Sequence, residues 1–258
     1  VEVANSYSNI GRGHLCKGEH DKALENYREA LDIWLYRRGP DFIEVANCYN
    51  DIGKVHSFKG EYPQALENYH KALDIRLKKL GPENRLVARS YSNIGKVQDE
   101  KGEYDQALEN YHKSLELDLK RLGPDLAQED ALVARSYNDI GRVHDNKGDY
   151  DQALEFLLKA LHIRRRKLGP DHPDVATSYN DIGKVHQNKG EHNDALEHLE
   201  EALRIRLERL GEDHPSTVRS YNNIGLVHLK KGEHYQALEN CLKALDLGLN
   251  HLGENNLD

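Results

Sequence analysis

The sequence predicts an all-α solenoid of six helix-turn-helix repeats, because three short markers recur in phase along its 258 residues. The first marker is a tyrosine followed four residues later by glycine, and successive copies are 42, 42, 46, 42 and 42 residues apart. A fixed period in this range is typical of stacked units and not of a closed globule. The tyrosines are Tyr7, Tyr49, Tyr91, Tyr137, Tyr179 and Tyr221. Lys-Gly-Glu/Asp follows, with glycines Gly18, Gly60, Gly102, Gly148, Gly190 and Gly232, and the closing glycines are Gly39, Gly81, Gly123, Gly169, Gly211 and Gly253.

The first helix of each repeat is predicted from apolar or small residues that share one face of a 3.6-residue helix. In repeat one these positions are Ala4, Tyr7, Ile10, Gly11 and His14. The Lys-Gly-Glu segment that follows is the predicted turn, and its glycine is the predicted helix stop.

The second helix of repeat one is predicted from about Asp21 to Arg38. We expect Gly39 to take the left-handed cap conformation, after which Pro40 prevents the helix from continuing. The predicted inward face is Ala23, Leu24, Tyr27, Ala30, Leu31 and Trp34.

Glycine inside a helix costs about 1 kcal/mol relative to alanine, yet every first helix carries one in its middle. The simplest reason is that the second helix approaches closely at this point. The glycines are Gly11, Gly53, Gly95, Gly141, Gly183 and Gly225. Their predicted packing partners are Tyr27, Tyr69, Tyr111, Leu157, Leu199 and Cys241.

The chain is predicted to form one array, with repeats at about residues 4–45, 46–87, 88–133, 134–175, 176–217 and 218–258. The longer spacing places a four-residue insertion near the end of repeat three, within Pro124 to Leu132. This segment favours helix. It therefore forms either one extra turn before the first helix of repeat four or a longer loop.

Composition argues against several classes of function. Lys plus Arg is 36 and Asp plus Glu is 44, so the net charge of −8 does not indicate a general binder of nucleic acid or membrane surfaces. No apolar run approaches the roughly 20 residues of a membrane span. The cysteines Cys16, Cys48 and Cys241 occupy three different repeat positions. They form no disulfide framework, which predicts a reducing, cytoplasmic setting.

The pattern of Gly11, Ala23 and Ala30, with Tyr27 as the aromatic, resembles the tetratricopeptide repeat (TPR) over the whole chain. The long period and the segment Leu168 to Pro173 look like the repeats of kinesin light chains and nephrocystin-3-type proteins, although no heptad coiled coil is present. The resemblance implies a right-handed superhelix whose first helices line a concave, protein-binding groove.

Asparagine recurs in the middle of the first helices although it is a mediocre helix former. Its side chain offers both a donor and an acceptor, which match the backbone of an extended peptide. The groove implied by the resemblance would therefore bind a protein or peptide. The candidate residues are Asn9, Arg12, Asn50, Asp51, Lys54, Arg89, Asn93, Lys96, Arg135, Asn138, Asp139, Arg142, Asn180, Asp181, Lys184, Arg219, Asn222 and Asn223.

A structural alternative applies to the same residues. Pairs such as Asp51 with Lys54 stabilise a helix at i,i+3 without any ligand, and duplication copies side chains that have no role. The pattern also departs from the carboxylate clamp of chaperone-binding repeats, which needs lysine and asparagine where this chain has Ser8 and Arg12. The positive and negative charges on the candidate groove face of the first helices nearly cancel within repeats two to five. The sequence therefore predicts no strongly acidic ligand.

No catalytic motif, cofactor motif or metal-ligand spacing is apparent, so the prediction is a non-enzymatic scaffold without cofactor or metal. Five histidines share one repeat position, but packed helices lie about 8–10 Å apart, which is too far for single histidines to chelate one ion. They are His14, His56, His144, His186 and His228. Imidazoles titrate near pH 6.5, so a pH response is the more plausible consequence.

Two other classes of function stay open. The chain could be the regulatory arm of a larger protein, or a structural array that associates end to end. The second alternative rests on the last helix, which no polar capping helix follows. Its apolar residues are Ala237, Leu238, Cys241, Ala244, Leu245 and Leu252.

Overall fold

A computed structural model describes residues 1–254, with side chains through residue 249, as twelve α-helices without a strand. The predicted all-α repeat array is confirmed. No helix in this described part is long and apolar enough to cross a membrane. The first helices of the repeats are α1 (Glu2–Cys16), α3 (Ile43–Phe58), α5 (Arg85–Glu100), α7 (Ala131–Lys147), α9 (Pro173–Lys189) and α11 (Pro215–Lys231). The second helices are α2 (His20–Arg38), α4 (Tyr62–Leu80), α6 (Tyr104–Ala127), α8 (Tyr150–Leu168), α10 (His192–Leu210) and α12 (His234–Glu254).

The chain divides into two compact units, residues 1–123 and residues 124–258. At the boundary, α6 is interrupted by the non-helical backbone of Gly123. Residues 124–127 then add one helical turn, so of the two alternatives for the insertion the extra turn is the one observed. Asp130 follows as the N-cap of α7, and its carboxylate accepts hydrogen bonds from the backbone of Leu132 and Val133.

The mid-helix glycines mark the closest approach within each helix pair, as predicted. A Cβ built on Gly53 would lie 3.0 Å from the ring of Tyr69 and 3.2 Å from the carbonyl oxygen of Ala65. At Gly141 it would lie 2.8 Å from Cγ of Leu157. A methyl group at these positions would require the neighbouring helix to shift, so packing and not backbone conformation favours glycine here.

The left-handed cap predicted at Gly39 is wrong. Its φ of 82° is positive, but its ψ of 173° is extended, a region that essentially only glycine adopts. This conformation redirects the chain straight into the next repeat. The left-handed cap occurs instead at the end of first helices, for example at Gly190, where φ is 87° and ψ is 6°. The last closing glycine, Gly253, lies inside α12.

The histidine position shared by five repeats braces the turn between the two helices. In repeat six, His228 Nδ1 lies 2.6 Å from Glu233 Oε2, and in repeat five His186 Nδ1 lies 2.7 Å from Glu191 Oε2. The carboxylate belongs to the residue just before the second helix. In repeat one the hydrogen bond from His14 is the main cause that lowers the pKa of Glu19 to about 2.

Candidate functional site

Three of the predicted groove asparagines are buried and serve as acceptors inside the protein. Asn50, Asn138 and Asn180 are only 4–6% exposed. Each side-chain oxygen accepts a hydrogen bond from an arginine of the second helix in the same repeat. The distances from arginine Nη1 to asparagine Oδ1 are 3.3 Å for Arg76 with Asn50, 3.0 Å for Arg164 with Asn138, and 3.5 Å for Arg206 with Asn180.

Each of these arginines also reaches the first helix of the following repeat. Arg206 Nη1 lies 2.6 Å from Ser220 Oγ and 3.2 Å from the carbonyl oxygen of Ser216. Arg76 contacts Ser90 Oγ at 2.7 Å, and Arg164 contacts the corresponding serine of α9 at 2.6 Å. One guanidinium therefore joins the two helices of its own repeat to the next repeat within the same unit.

The acceptors around these arginines are neutral amides, hydroxyls and carbonyls. Burial is the main cause that lowers the pKa of Arg76, to about 10, and burial also lowers the pKa of Arg164 and of Arg206. At neutral pH the guanidinium is still charged. Burying a charge is costly unless its donors are hydrogen-bonded, so the asparagine oxygens are part of what keeps these arginines inside.

Sequence reasoning missed the buried arginines, although a signal for them exists within the chain. Asparagine stands at the first-helix position in the three repeats that have arginine on the second helix, and also in repeat six, where Asn222 is paired with Gly248. Where the arginine is replaced by Trp34 or Asp118, the first helix carries Ser8 or Ser92 instead. The side chains of Asn50, Asn138 and Asn180 are thus occupied internally, which favours the structural alternative for them over peptide binding.

In three repeats the next residue of the first helix connects neighbouring first helices. Asn93 donates to Asn50 Oδ1 at 2.9 Å, and Asn223 donates to Asn180 Oδ1 at 2.8 Å. Asn138 donates to Asp181 Oδ2 at 3.2 Å. The equivalent aspartates in repeats two and four are half-buried too, and burial is the main cause that raises the pKa of Asp51.

The predicted basic residues are the part of the candidate groove that is open to solvent. In the first unit Arg12, Lys54, Arg89 and Lys96 are exposed, together with Asn9. In the second unit the exposed residues are Arg135, Arg142, Arg219 and Asn222, while Lys184 and Asp139 are half-buried. We call the exposed cations of each unit its cationic row. Two of the ion pairs are long: Lys96 Nζ is 3.7 Å from Glu100, and Arg142 Nη1 is 3.9 Å from Asp139. Arg12 Nη2 donates to Asn9 Oδ1 at 2.9 Å.

Phe58 lies beside the cationic row of the first unit and was not singled out by sequence reasoning. It is the last residue of α3, is 53% exposed, and stacks on His20 with a centroid distance of 6.1 Å. The ammonium groups of Lys54 and Lys96 lie 5.7 Å and 5.9 Å from its ring centroid, within cation–π range. The sequence does contain a signal for Phe58, because it is the only aromatic residue at this repeat position. The other repeats have Cys16, Glu100, Asn146, Asn188 and Lys230 there.

The repeated helix pairs define the chain as an α-helical repeat protein. The family model described as tetratricopeptide repeat matches residues 2–78, 44–120, 132–208 and 182–250. The chain therefore belongs to the tetratricopeptide repeat family, as the sequence resemblance predicted. Proteins of this family are generally non-catalytic scaffolds for protein–protein interaction. No curated protein sequence matches the chain significantly.

Solved structures support the fold. BtubC (BKLC) from P. vanneervenii has a TM-score of 0.71 and 20% identity, over 92% of this chain and 91% of that one. A Podosopora anserina protein described as a kinesin light chain with nearly identical TPR-like repeats has a TM-score of 0.68 and 19% identity, over 80% and 96%. The apo form of RapI has a TM-score of 0.69 and 17% identity, over 98% and 100%. At these identities the similarity concerns the fold alone.

Proposed function

We propose that this protein is a cytoplasmic, non-catalytic scaffold that binds an extended segment of a partner protein along its first helices. The observation that carries the proposal is the exposed ring of Phe58, with the ammonium groups of Lys54 and Lys96 both within about 6 Å of its centroid. Aromatic residues at the centre of an interface are among those that supply much of its binding energy. The family is generally one of protein-binding scaffolds, which supports the same class of function.

The chemistry of this surface indicates what kind of segment it would bind. The cationic row can donate to peptide carbonyls and to isolated carboxylates, and the ring of Phe58 can pack against an apolar side chain. Asn9 and Asn222 are exposed amides that can pair with a peptide backbone. Half-buried aspartates next to the cations oppose a strongly acidic ligand. The expected segment therefore has an apolar anchor and a few scattered acceptors.

Peptides selected from a random display library against the whole chain would test this proposal. We expect Phe58→Ala to weaken the binding of the selected peptides at least tenfold, measured by fluorescence anisotropy, because a buried aromatic anchor contributes about 2 kcal/mol or more. Lys96→Ala should weaken binding severalfold. Lys113→Ala is the matched control, since Lys113 on α6 lies 5.7 Å from the ring of Tyr91 and outside the cationic row.

Unchanged affinity in both Phe58→Ala and Lys96→Ala would contradict the proposed surface. Equal loss in the Lys113→Ala control would also contradict it, because the effect would then be one of general charge.

A second candidate function, end-to-end association, is favoured by two exposed apolar faces. On α1, Val3 is 59% exposed, whereas Val45 at the same position of α3 is fully buried, in the cluster that α3 forms with α2. On α12, Leu245 is 57% exposed, whereas its equivalents Leu31 and Leu73 are buried. We propose that α1 of one copy packs on α12 of another as α3 packs on α2. Leu252, which was predicted to belong to the same apolar face, lies beyond the residues whose side chains the structure describes.

Sedimentation velocity over a range of protein concentrations tests this association. We expect the sedimentation coefficient to rise with concentration, because covering apolar surface contributes about 25 cal/mol per Å² and a head-to-tail contact can continue. Leu245→Glu should abolish the rise. Leu158→Glu on α8 changes an equally exposed leucine away from both faces and should leave the rise unchanged. A single monomeric species at every concentration would exclude this assembly.

A further inference from the structure

We propose that repeat five contains a binding site for a divalent transition metal such as zinc, formed by His186, Glu191, Asp194 and His198. One ligand atom from each of the first three residues lies within 4.8 Å of the others. His186 comes from α9. Glu191 is the residue just before α10, and Asp194 and His198 are spaced i and i+4 in the first turns of α10, so these two share one helix face.

The fourth residue, His198, lies beside this cluster, in contact with two of its members. Its ring stacks on that of His186 with a centroid distance of 5.1 Å. Its Nδ1 donates to the backbone carbonyl oxygen of Asp194 at 2.8 Å. This hydrogen bond fixes the tautomer and leaves Nε2 as the ring nitrogen with a lone pair. Histidines that bind metals almost always donate their other N–H group in this way, often to a carbonyl.

Two imidazoles and two carboxylates suit a borderline cation such as zinc. With bonds of about 2.0–2.2 Å, tetrahedral ligand atoms lie roughly 3.3–3.5 Å apart. The ligand atoms of His186, Glu191 and Asp194, which lie within 4.8 Å of one another, must therefore close by up to about 1.5 Å, and His198 must turn its Nε2 towards them. Glu191 retains 36% exposure and Asp194 is exposed, so both can move. The ion would replace the hydrogen bond between His186 and Glu191 and compete with Lys189, whose ammonium group also contacts Asp151 at 2.9 Å.

The other repeats show that the fold does not require these ligands. Their residues in place of Asp194 are Lys22, Gln64, Gln106, Gln152 and Gln236. Their residues in place of His198 are Asn26, Asn68, Asn110, Phe156 and Asn240. The asparagine side chains make the same backbone hydrogen bond, as Asn68 does to the carbonyl of Gln64 at 2.8 Å. Repeat five thus gains two ligands together. The expectation of no metal site rested on the spacing of histidines, within helices and along the shared position, and did not include these carboxylates.

Zinc chloride titrated into the whole, chelator-treated chain tests the site by calorimetry. We expect one equivalent to bind with release of protons, because bound histidine must be deprotonated. The double variant Asp194→Gln, His198→Asn restores residues found at these positions in repeats two, three and six, so it should fold normally. It should weaken zinc binding at least tenfold. Cobalt(II) should give the visible absorption of a tetrahedral site with the parent chain and not with the double variant.

His70→Asn is the control, since His70 is an exposed histidine of α4 outside the cluster. It should leave zinc affinity unchanged. Absence of zinc binding by the parent chain would overturn the proposal, and so would equal affinity in the parent and the double variant. Should circular dichroism show that the double variant is unfolded, Asp194→Asn alone removes one charged ligand with little change of shape. Unchanged zinc affinity in that variant would equally overturn the site.

Discussion

Replacing Asn180 with alanine is expected to lower the free energy of unfolding by about 1–3 kcal/mol, the lower end reflecting the long 3.5 Å contact from Arg206. The variant removes the acceptor of Arg206 and of Asn223. A hydrogen bond to a charged group contributes about 1.5–3 kcal/mol and a neutral one about 0.5–1.5 kcal/mol. Alanine recovers only several tenths of a kcal/mol as the better helix former. Urea denaturation followed by circular dichroism measures the change.

The chain contains a matched control for this prediction. Asn222 has the same position in repeat six, but it is exposed and the arginine position there holds Gly248. Asn222→Ala should therefore change stability by less than about 0.5 kcal/mol. If Asn180→Ala were as stable as the parent chain, the arginine would not depend on the asparagine, and a ligand-facing role for Asn180 would regain its support.

The repeats, the helix pairs and the close approach at the mid-helix glycines could be predicted because each follows from local periodicity. The direction of the asparagine side chains could not. Asn50 lies at the border of the apolar face of α3, where periodicity alone does not separate a solvent-facing residue from a buried one. Its partner Arg76 lies 26 residues later on another helix. Only the joint change of residue type between repeats, such as Trp34 with Ser8, links the two positions in the sequence.

The candidate binding surface was predictable in part for a similar reason. The cations recur with the repeat period, and most of those predicted are exposed as a surface site requires. Phe58 and the ligand cluster of repeat five each occur in only one repeat, so averaging over repeats hides them. A residue that occurs in one repeat only distinguishes that repeat from its neighbours, whereas a residue that recurs in every repeat does not. Both proposals that rest on single repeats, the aromatic anchor and the metal site, come from such exceptions.

Replacing Gly141 with alanine is expected to destabilise the protein by about 1–3 kcal/mol, although alanine favours helix by about 1 kcal/mol. The added Cβ would lie 2.8 Å from Cγ of Leu157 and 3.1 Å from the carbonyl oxygen of Ala153. Leu157 is fully buried in the cluster that includes Val175 and Ile182, so it has little room to move. The carbonyl oxygen can yield only if the helices separate. Thermal and urea denaturation measure the loss.

Gly13→Ala makes the same chemical change but is expected to raise the stability of the protein. Gly13 lies within α1, and a Cβ placed on it would meet no atom within 4 Å. The variant should gain up to about 1 kcal/mol from helix propensity alone. Leu157→Ala should also cost less in the Gly141→Ala background than in the parent chain, because the new methyl group occupies part of the void. If both glycine variants were stabilised equally, close helix approach would not be the reason for glycine at this position.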